Sequence, residues 1–215
     1  TSRRVNLADG RIEYTPETEP RPGRVVRNIC PASPGAKDWQ PAANWPKTGL
    51  LYLGHQNLCM DVEALEANYI AGTPFVGMNV TMYAGPGDHR GEYTAWDPVA
   101  KRAVWKRREP FPVWSGSVAT AGDVIFYGTM DRWFRALNAR TGEVLWEFRT
   151  ASGVIGQPIT YRGPDGKQYV AILDGVGGWS GAIVAGELSP QDPTAALGFV
   201  GAMADLPDHT DRGGT

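Results

Sequence analysis

Between Glu92 and Leu173, short apolar stretches alternate with polar turn formers at a nearly constant beat. Glu92 to Asp97, Ala103 to Arg107, Trp114 to Thr120 and Val124 to Gly128 read as a first set of four strands. Trp133 to Asn138, Val144 to Phe148, Val154 to Tyr161 and Gln168 to Leu173 read as a second. Gly122-Asp123, Thr141-Gly142 and Pro164-Asp165-Gly166 fall between strands and suit tight turns. Beneath the beat lies a repeat. Ala95 to Trp105 (AWDPVAKRAVW) returns as Ala136 to Trp146 (ALNARTGEVLW), 41 residues on. A strand, a polar turn and a strand ending in tryptophan, at roughly 40 residues per copy, is the signature of a β-propeller blade. The fold class expected is all-β, a partial propeller of about two to three four-stranded blades. Trp105 and Trp146, at equivalent positions, are expected to plug the joints between neighbouring blades.

The rest of the chain is less regular. Thr1 to about Arg27 is polar and broken by Pro16, Pro20 and Pro22, which predicts an irregular lead-in, residues 1–27, ahead of the blades in 28–215. Thr48-Gly49 opens a compact buried strand at Leu50 to Leu53. Asp61 to Ile70 is the one short stretch with a helical look before the blades, and Pro74 to Arg90 reads as a long loop. A further helical stretch runs from Pro193 to Met203. Both ends stop in mid-pattern, and an incomplete ring exposes unpaired strand edges. The chain is therefore expected to be one part of a larger ring.

Composition narrows the class. Hydrophobic residues make up 42% and the formal charge is −2, so nothing attracts the chain in bulk to nucleic acid or a membrane surface. No run approaches the roughly 18 apolar residues of a membrane span, and no secretion leader is visible at Thr1. The 27 glycines and 17 prolines suit many short strands joined by turns. Cys30 and Cys59 are too few for a disulfide scaffold, and His55, His89 and His209 lack ligand spacing around them. One structural disulfide is the preferred reading, with two buried thiols the alternative.

Two of the eight tryptophans break the repeat rule. Trp114 sits in Val113-Trp114-Ser115-Gly116, and Trp179 lies among glycines in Gly175 to Gly181. Glycines free the backbone for close approach and leave the indole as the only bulky group, which suits a flat ligand. A core aromatic in a glycine-rich corner explains them equally well. Asp38, in Lys37-Asp38-Trp39-Gln40, could accept hydrogen bonds from a polar ligand edge or cap a turn. No nucleophile triad, phosphate loop, zinc motif or paired-carboxylate pattern stands out. Glu63 and Glu66, three apart, are better explained as a solvated face.

Taken together, the strings NICPA…DWQP, NLCMD, EANYIAGTPFVG, MYAGPG, FPVWSG, ATAGDVIFYGTMD, SGVIGQPITY, YVAILDGVGGWSGA and DPTAALGFVGAM closely resemble the C-terminal part of the large subunit of quinoprotein methanol dehydrogenases. The similarity runs almost unbroken from Asn28 to the end. Asp38-Trp39 and the GGWSG context look more like the lanthanide-dependent branch than the calcium-dependent one.

The resemblance implies an eight-bladed propeller in the periplasm that binds pyrroloquinoline quinone near its axis, beside a lanthanide or calcium ion. It implies oxidation of a primary alcohol by hydride transfer to the quinone, with electrons passing to cytochrome c, and a homodimer when complete. Carried over by motif, Trp114 would be the floor for the quinone, Asp38 would meet its polar edge, and Gly178 and Trp179 would line the quinone and substrate pocket. Leu197 would add apolar wall near the alcohol, and Cys30 and Cys59 would form a family disulfide. The metal ligands and the catalytic base match nothing in this chain, nor does the family's vicinal cysteine pair. The expectation is one wall of an active site from residues that do not react alone. A non-catalytic propeller scaffold, as in outer-membrane protein assembly, is the competing reading.

Overall fold

The computed structural model describes residues 2–69, 71, 77–192 and 195–211, apart from the side chains of Ser2 and Leu197. Fifteen strands are present among them. In chain order β1 is Ser2–Val5, β2 Ile12–Tyr14, β3 Val25–Ile29, β4 Ala43–Trp45 and β5 Leu50–Gln56. Then come β6 Leu58–Ala64, β7 Met78–Ala84, β8 Gly91–Asp97, β9 Arg102–Glu109 and β10 Val118–Thr120. β11 Val124–Gly128, β12 Trp133–Asn138, β13 Val144–Arg149, β14 Ile159–Arg162 and β15 Gln168–Ala171 complete the set, followed by helices α1 Gly178–Val184 and α2 Phe199–Ala202.

Two antiparallel four-stranded blades form the body, in the orders β4-β5-β8-β9 and β10-β11-β12-β13. The repeat is therefore the last hairpin of each blade. Ala95 pairs Trp105 and Ala136 pairs Trp146, and each ladder then slips at the same place, after Ala95 and after Ala136. The turns match as well. Asp97 Oδ1 accepts the amides of Val99 and Ala100, both at 2.9 Å, and Asn138 Oδ1 those of Arg140 and Thr141, at 2.9 and 3.3 Å. Lys101 and Gly142 hold the same left-handed backbone position.

This shifts the blade frame read from sequence. Glu92 to Arg107 closes the first blade rather than opening it, because β4 and β5 precede it in space. The strand expected at Trp114 to Thr120 is confined to Val118–Thr120, and that at Val154 to Tyr161 to Ile159–Arg162. The expected helix at Asp61 to Ile70 is instead strand β6, with residues 65–69 outside regular structure and Ile70 outside the described residues. The expected loop at Pro74 to Arg90 contains β7, where Val80 and Met82 turn inward and Thr81 outward, while residues 74–76 lie outside the described residues. β6 and β7, inserted in sequence between β5 and β8 of the first blade, pair with β3, which precedes that blade, in a three-stranded sheet. Residues 2–27 are less irregular than expected, since β1 and β2 form an exposed hairpin and β3 runs across the 27/28 boundary. The helical stretch at Pro193 to Met203 is a 3-10 turn, Ala195–Gly198, followed by the short α2, with residues 193–194 outside those described.

The blades meet through aromatic rings. Tyr93 and Tyr127 stack at 3.9 Å, and Tyr52, Tyr93 and Tyr127 are fully buried. Their hydroxyls are all used. Tyr52 donates to the Ala139 carbonyl at 3.0 Å, Tyr93 to Ser117 at 2.8 Å and Tyr127 to Glu109 at 2.6 Å. Burial pushes the Tyr93 and Tyr127 hydroxyls well up, so they stay protonated donors. Arg135 spans the joint with both oxygens of buried Glu109, at 3.1 and 3.0 Å, which pairs the charge as burial demands. A second core lies under the inserted sheet. Val26, Val62, Val80 and Met82 pack there with Phe111, Phe199, Met203 and Leu206. Cys30 and Cys59 are joined, which decides for the bridge over two thiols.

Candidate functional site

β5 alternates inward and outward, with Leu50, Tyr52, Gly54 and Gln56 on the inward side. Gly54 lets the segment after β9 come close, since a Cβ there would lie 2.4 Å from Val113. Buried Val113 fills that gap, and its neighbour Trp114 is placed beside Gln56 at the end of β5. The indole Nε1 of Trp114 donates to Gln56 Oε1 at 3.2 Å. Gln56 then donates Nε2 to the Pro34 carbonyl at 3.1 Å and its backbone amide to Ala36 at 2.7 Å. One buried amide thus fastens the 33–40 loop to the blade and to Trp114.

That loop holds Asp38. Its backbone amide donates to Gln40 Oε1 at 3.0 Å, and Lys37 donates to the carbonyls of Asp38 and Gln40. The Asp38 carboxylate makes no ion pair among the described residues and is exposed. On the far side, Gly175 bridges Val154, and the chain enters α1 through Gly178, whose φ is +57. Trp179 stands in the first turn of α1, 47% exposed. A Cβ at Gly177 or Gly178 would meet nothing within 4 Å, so space remains in front of both.

These segments border a half-open cavity of about 510 Å³, within the range of small-molecule sites. Asp38, Trp114, Gly178 and Trp179, separated widely in sequence, all line it. Trp39, Gln56 and Ile155 line it too, with Ser33, Pro34 and Gly177. Leu197 lies in the Ala195–Gly198 turn, its side chain outside the described residues. The sequence points to Asp38, Trp114, Gly178 and Trp179, and to Trp39 only as the aromatic beside Asp38; Gln56 is not among them. Gln56 had a legible signal, a polar residue at the inward position of an otherwise buried alternating strand.

The chemistry of the lining suits a flat, partly polar ligand. Three indoles supply aromatic surface, while the Asp38 carboxylate and Gln56 carbonyl accept hydrogen bonds. Phe199 covers one face of Trp114, so a ligand meets the remaining surface of that indole. Among the described residues no lysine or arginine lines the cavity. Another polar cluster, His55, Glu92 and His89, is already committed: Glu92 takes Lys106 at 2.7 Å and faces His55 and His89 at 3.3 and 3.4 Å. Burial would raise the Glu92 carboxyl, but Lys106 holds it below its usual value, while burial lowers His55. Among the described residues no group of three or more His, Cys, Asp or Glu is arranged to hold a metal ion. No helix there is long and apolar enough to cross a membrane.

Comparison with known proteins gives a consistent picture. The PQQ family profile, glucose/ethanol/alcohol dehydrogenase β-propeller domain, matches residues 88–170. The lanthanide-dependent methanol dehydrogenase of Methylacidiphilum fumariolicum (strain SolV) is 48% identical, over 99% of this chain and 36% of its own length. Methanol dehydrogenase [cytochrome c] subunit 1 of Paracoccus denitrificans is 40% identical, over 98% of this chain and 34% of its own. A solved europium-containing methanol dehydrogenase superposes with a TM-score of 0.92 at 48% identity, covering 99% of this chain and 38% of that one. The chain spans about a third of the length of the curated relatives it matches.

Proposed function

This chain is homologous to the lanthanide-dependent methanol dehydrogenases, in the PQQ propeller family, and from that premise we propose that it builds one wall of the quinone pocket of an alcohol dehydrogenase. The observation that carries the reading is the convergence of Asp38, Trp114, Gly178 and Trp179 on one cavity. Pyrroloquinoline quinone is a flat fused heteroaromatic with an ortho-quinone, a pyrrole N–H and three carboxylates. Its rings suit the indoles of Trp114 and Trp179, and its N–H edge suits the Asp38 carboxylate. Its carboxylates need cationic partners, and among the described residues none lines this wall.

When bound, the quinone supplies the redox chemistry, accepting a hydride equivalent from a primary alcohol. The residues of this chain bind and orient. Trp114, hydrogen-bonded to Gln56 and proposed as the quinone floor, presents an aromatic surface. Asp38 accepts a proton-bearing edge, and the space before Gly177 and Gly178 admits the ligand beside Trp179. Leu197 is proposed as apolar wall near the alcohol. Metal and proton-accepting base lie outside residues 1–215, which are inactive by themselves in this reading. The ion is a lanthanide, which the higher identity to the lanthanide-dependent relatives favours over calcium. A disulfide favours an oxidising compartment, here the periplasm, with electrons leaving to a cytochrome c.

The test is titration of pyrroloquinoline quinone into the intact polypeptide that carries these residues, read by tryptophan fluorescence. Quenching is expected, and Asp38→Ala should weaken binding by about 10- to 100-fold, the worth of a charge-assisted hydrogen bond. A wild-type protein that takes up no quinone would overturn the reading.

A further inference from the structure

The two tryptophans carried in from separate segments share one neighbour behind the cavity. Phe199 is fully buried and does not line the cavity. Its ring stacks on Trp114 at 5.1 Å and 9°, and stands tilted to Trp179 at 6.3 Å and 43°. The exposed side chain of Trp179 has no hydrogen bond among the described residues that would fix its plane. Among the described residues the Trp114 indole has a single hydrogen bond, to Gln56, and one hydrogen bond at an indole edge leaves rotation about the bonded axis open. A ring stacked against the indole face opposes that rotation.

Phe199 is itself held from two directions. Before it, Gly198 has φ +78, and its backbone lies so near β7 that a Cβ would fall 2.1 Å from the Val80 carbonyl oxygen. Beyond it, Arg90 donates to the Ala202 carbonyl at 2.7 Å and pairs both oxygens of Asp205. The same guanidinium donates Nε to the Pro110 carbonyl at 2.7 Å, on the segment that leads to Trp114, and lies 4.1 Å over Phe111. One side chain thus ties the segment bearing Phe199 to the segment bearing Trp114.

We propose that Phe199 is a positioning residue that sets the planes of Trp114 and Trp179, and so the shape of the cavity between them. That these indoles meet a quinone rests on the function proposed above; that Phe199 orients them does not. The experiment compares Phe199→Leu with Val62→Ala, a truncation in the same core on β6, in the intact polypeptide that carries these residues. Melting temperature, the near-ultraviolet circular dichroism of the ligand-free protein, and affinity for pyrroloquinoline quinone are measured for each. Phe199→Leu should change the tryptophan bands and weaken quinone binding about tenfold, on the scale of a lost ring stack. Val62→Ala should lower the melting temperature while leaving both other signals at wild-type values. Should Phe199→Leu fail to fold, Phe199→Met, which keeps more of the volume, is read in the same way. Tryptophan bands that are unchanged, or affinity falling no further than in Val62→Ala, overturn the positioning role. A wild type that binds no quinone defeats the functional reading, and the ligand-free spectra still judge Phe199.

Discussion

Trp105 and Trp146 occupy the same place in two copies of one repeat, paired to equivalent alanines across equivalent ladder slips. Trp105 is half-buried. Its Nε1 donates to the Ala139 carbonyl at 3.0 Å, and its ring lies against Gly142 in the turn of the next blade. It also sits 6.0 Å from Tyr52 and 6.1 Å from Tyr93. Trp146 is 49% exposed and meets rings of its own blade, Phe134 and Phe148, at 6.2 and 6.1 Å. No turn receives it among the described residues. The turns differ in the same sense: Gly142 carries a ring on its backbone, while Lys101 at the equivalent position is exposed. A docking tryptophan is thus half of a joint. The hairpin geometry is local to the blade, and burial comes only from the neighbour.

The widest gap between the two copies should appear on truncation. Trp105→Ala should cost about 3 kcal/mol, at the lower end for large aromatic truncations because the ring is half-buried, whereas Trp146→Ala should cost under about 1 kcal/mol. Denaturant unfolding of both variants measures it, and equal losses would erase the distinction. Substitution in the turns comes next. Gly142→Ala should cost about 2 kcal/mol, because the left-handed backbone is strained for alanine and its Cβ would fall 2.7 Å from the Trp105 ring. Lys101→Gly should instead stabilise, by about 0.5–1 kcal/mol, since it relieves a left-handed residue with no ring upon it. The smallest effect concerns acid. At the formed joint Asp123 accepts Trp45 Nε1 at 2.6 Å and faces Arg140 at 3.3 Å. The indole hydrogen bond, with Arg140, holds its carboxyl below the ordinary 3.8. A depressed folded pKa contributes stability above the unfolded value and loses it as pH falls through the folded one. The melting-temperature advantage of wild type over Asp123→Asn should therefore be constant above about pH 5 and shrink below 3.8. A gap that does not change with pH would place the joint's stability in the rings alone.

The blades were legible because their signals are local. Asp97 and Asn138 cap the same turn, and Trp105 and Trp146 mark the same strand end. The inserted sheet was harder. In β6, Asp61 breaks the apolar pattern because it serves contacts distant in sequence, accepting the Asn28 amide at 3.0 Å and the Tyr83 hydroxyl at 2.8 Å. Such a polar residue mimics the solvated face of a helix. β7 did carry a strand's alternation, but its glycine- and proline-rich surroundings suggested a loop. At the pocket, Trp114 and Trp179 were conspicuous because they break the repeat. Phe199 was invisible, since nothing in its local pattern distinguishes a core phenylalanine from one that backs an indole across the fold.

The bridge between Cys30 and Cys59 has a further meaning once the pocket is known. Ser33, Pro34, Asp38, Trp39 and Gln56 all lie within the covalent ring it closes. One bank of the cavity is a macrocycle, whose freedom in the unfolded chain is cut by about 3–4 kcal/mol on chain-entropy grounds. The opposite bank, with Trp114 and Trp179, is ordinary linear polypeptide. The acid side of the cavity thus depends on the history of two electrons, which must leave the thiols before that ring closes.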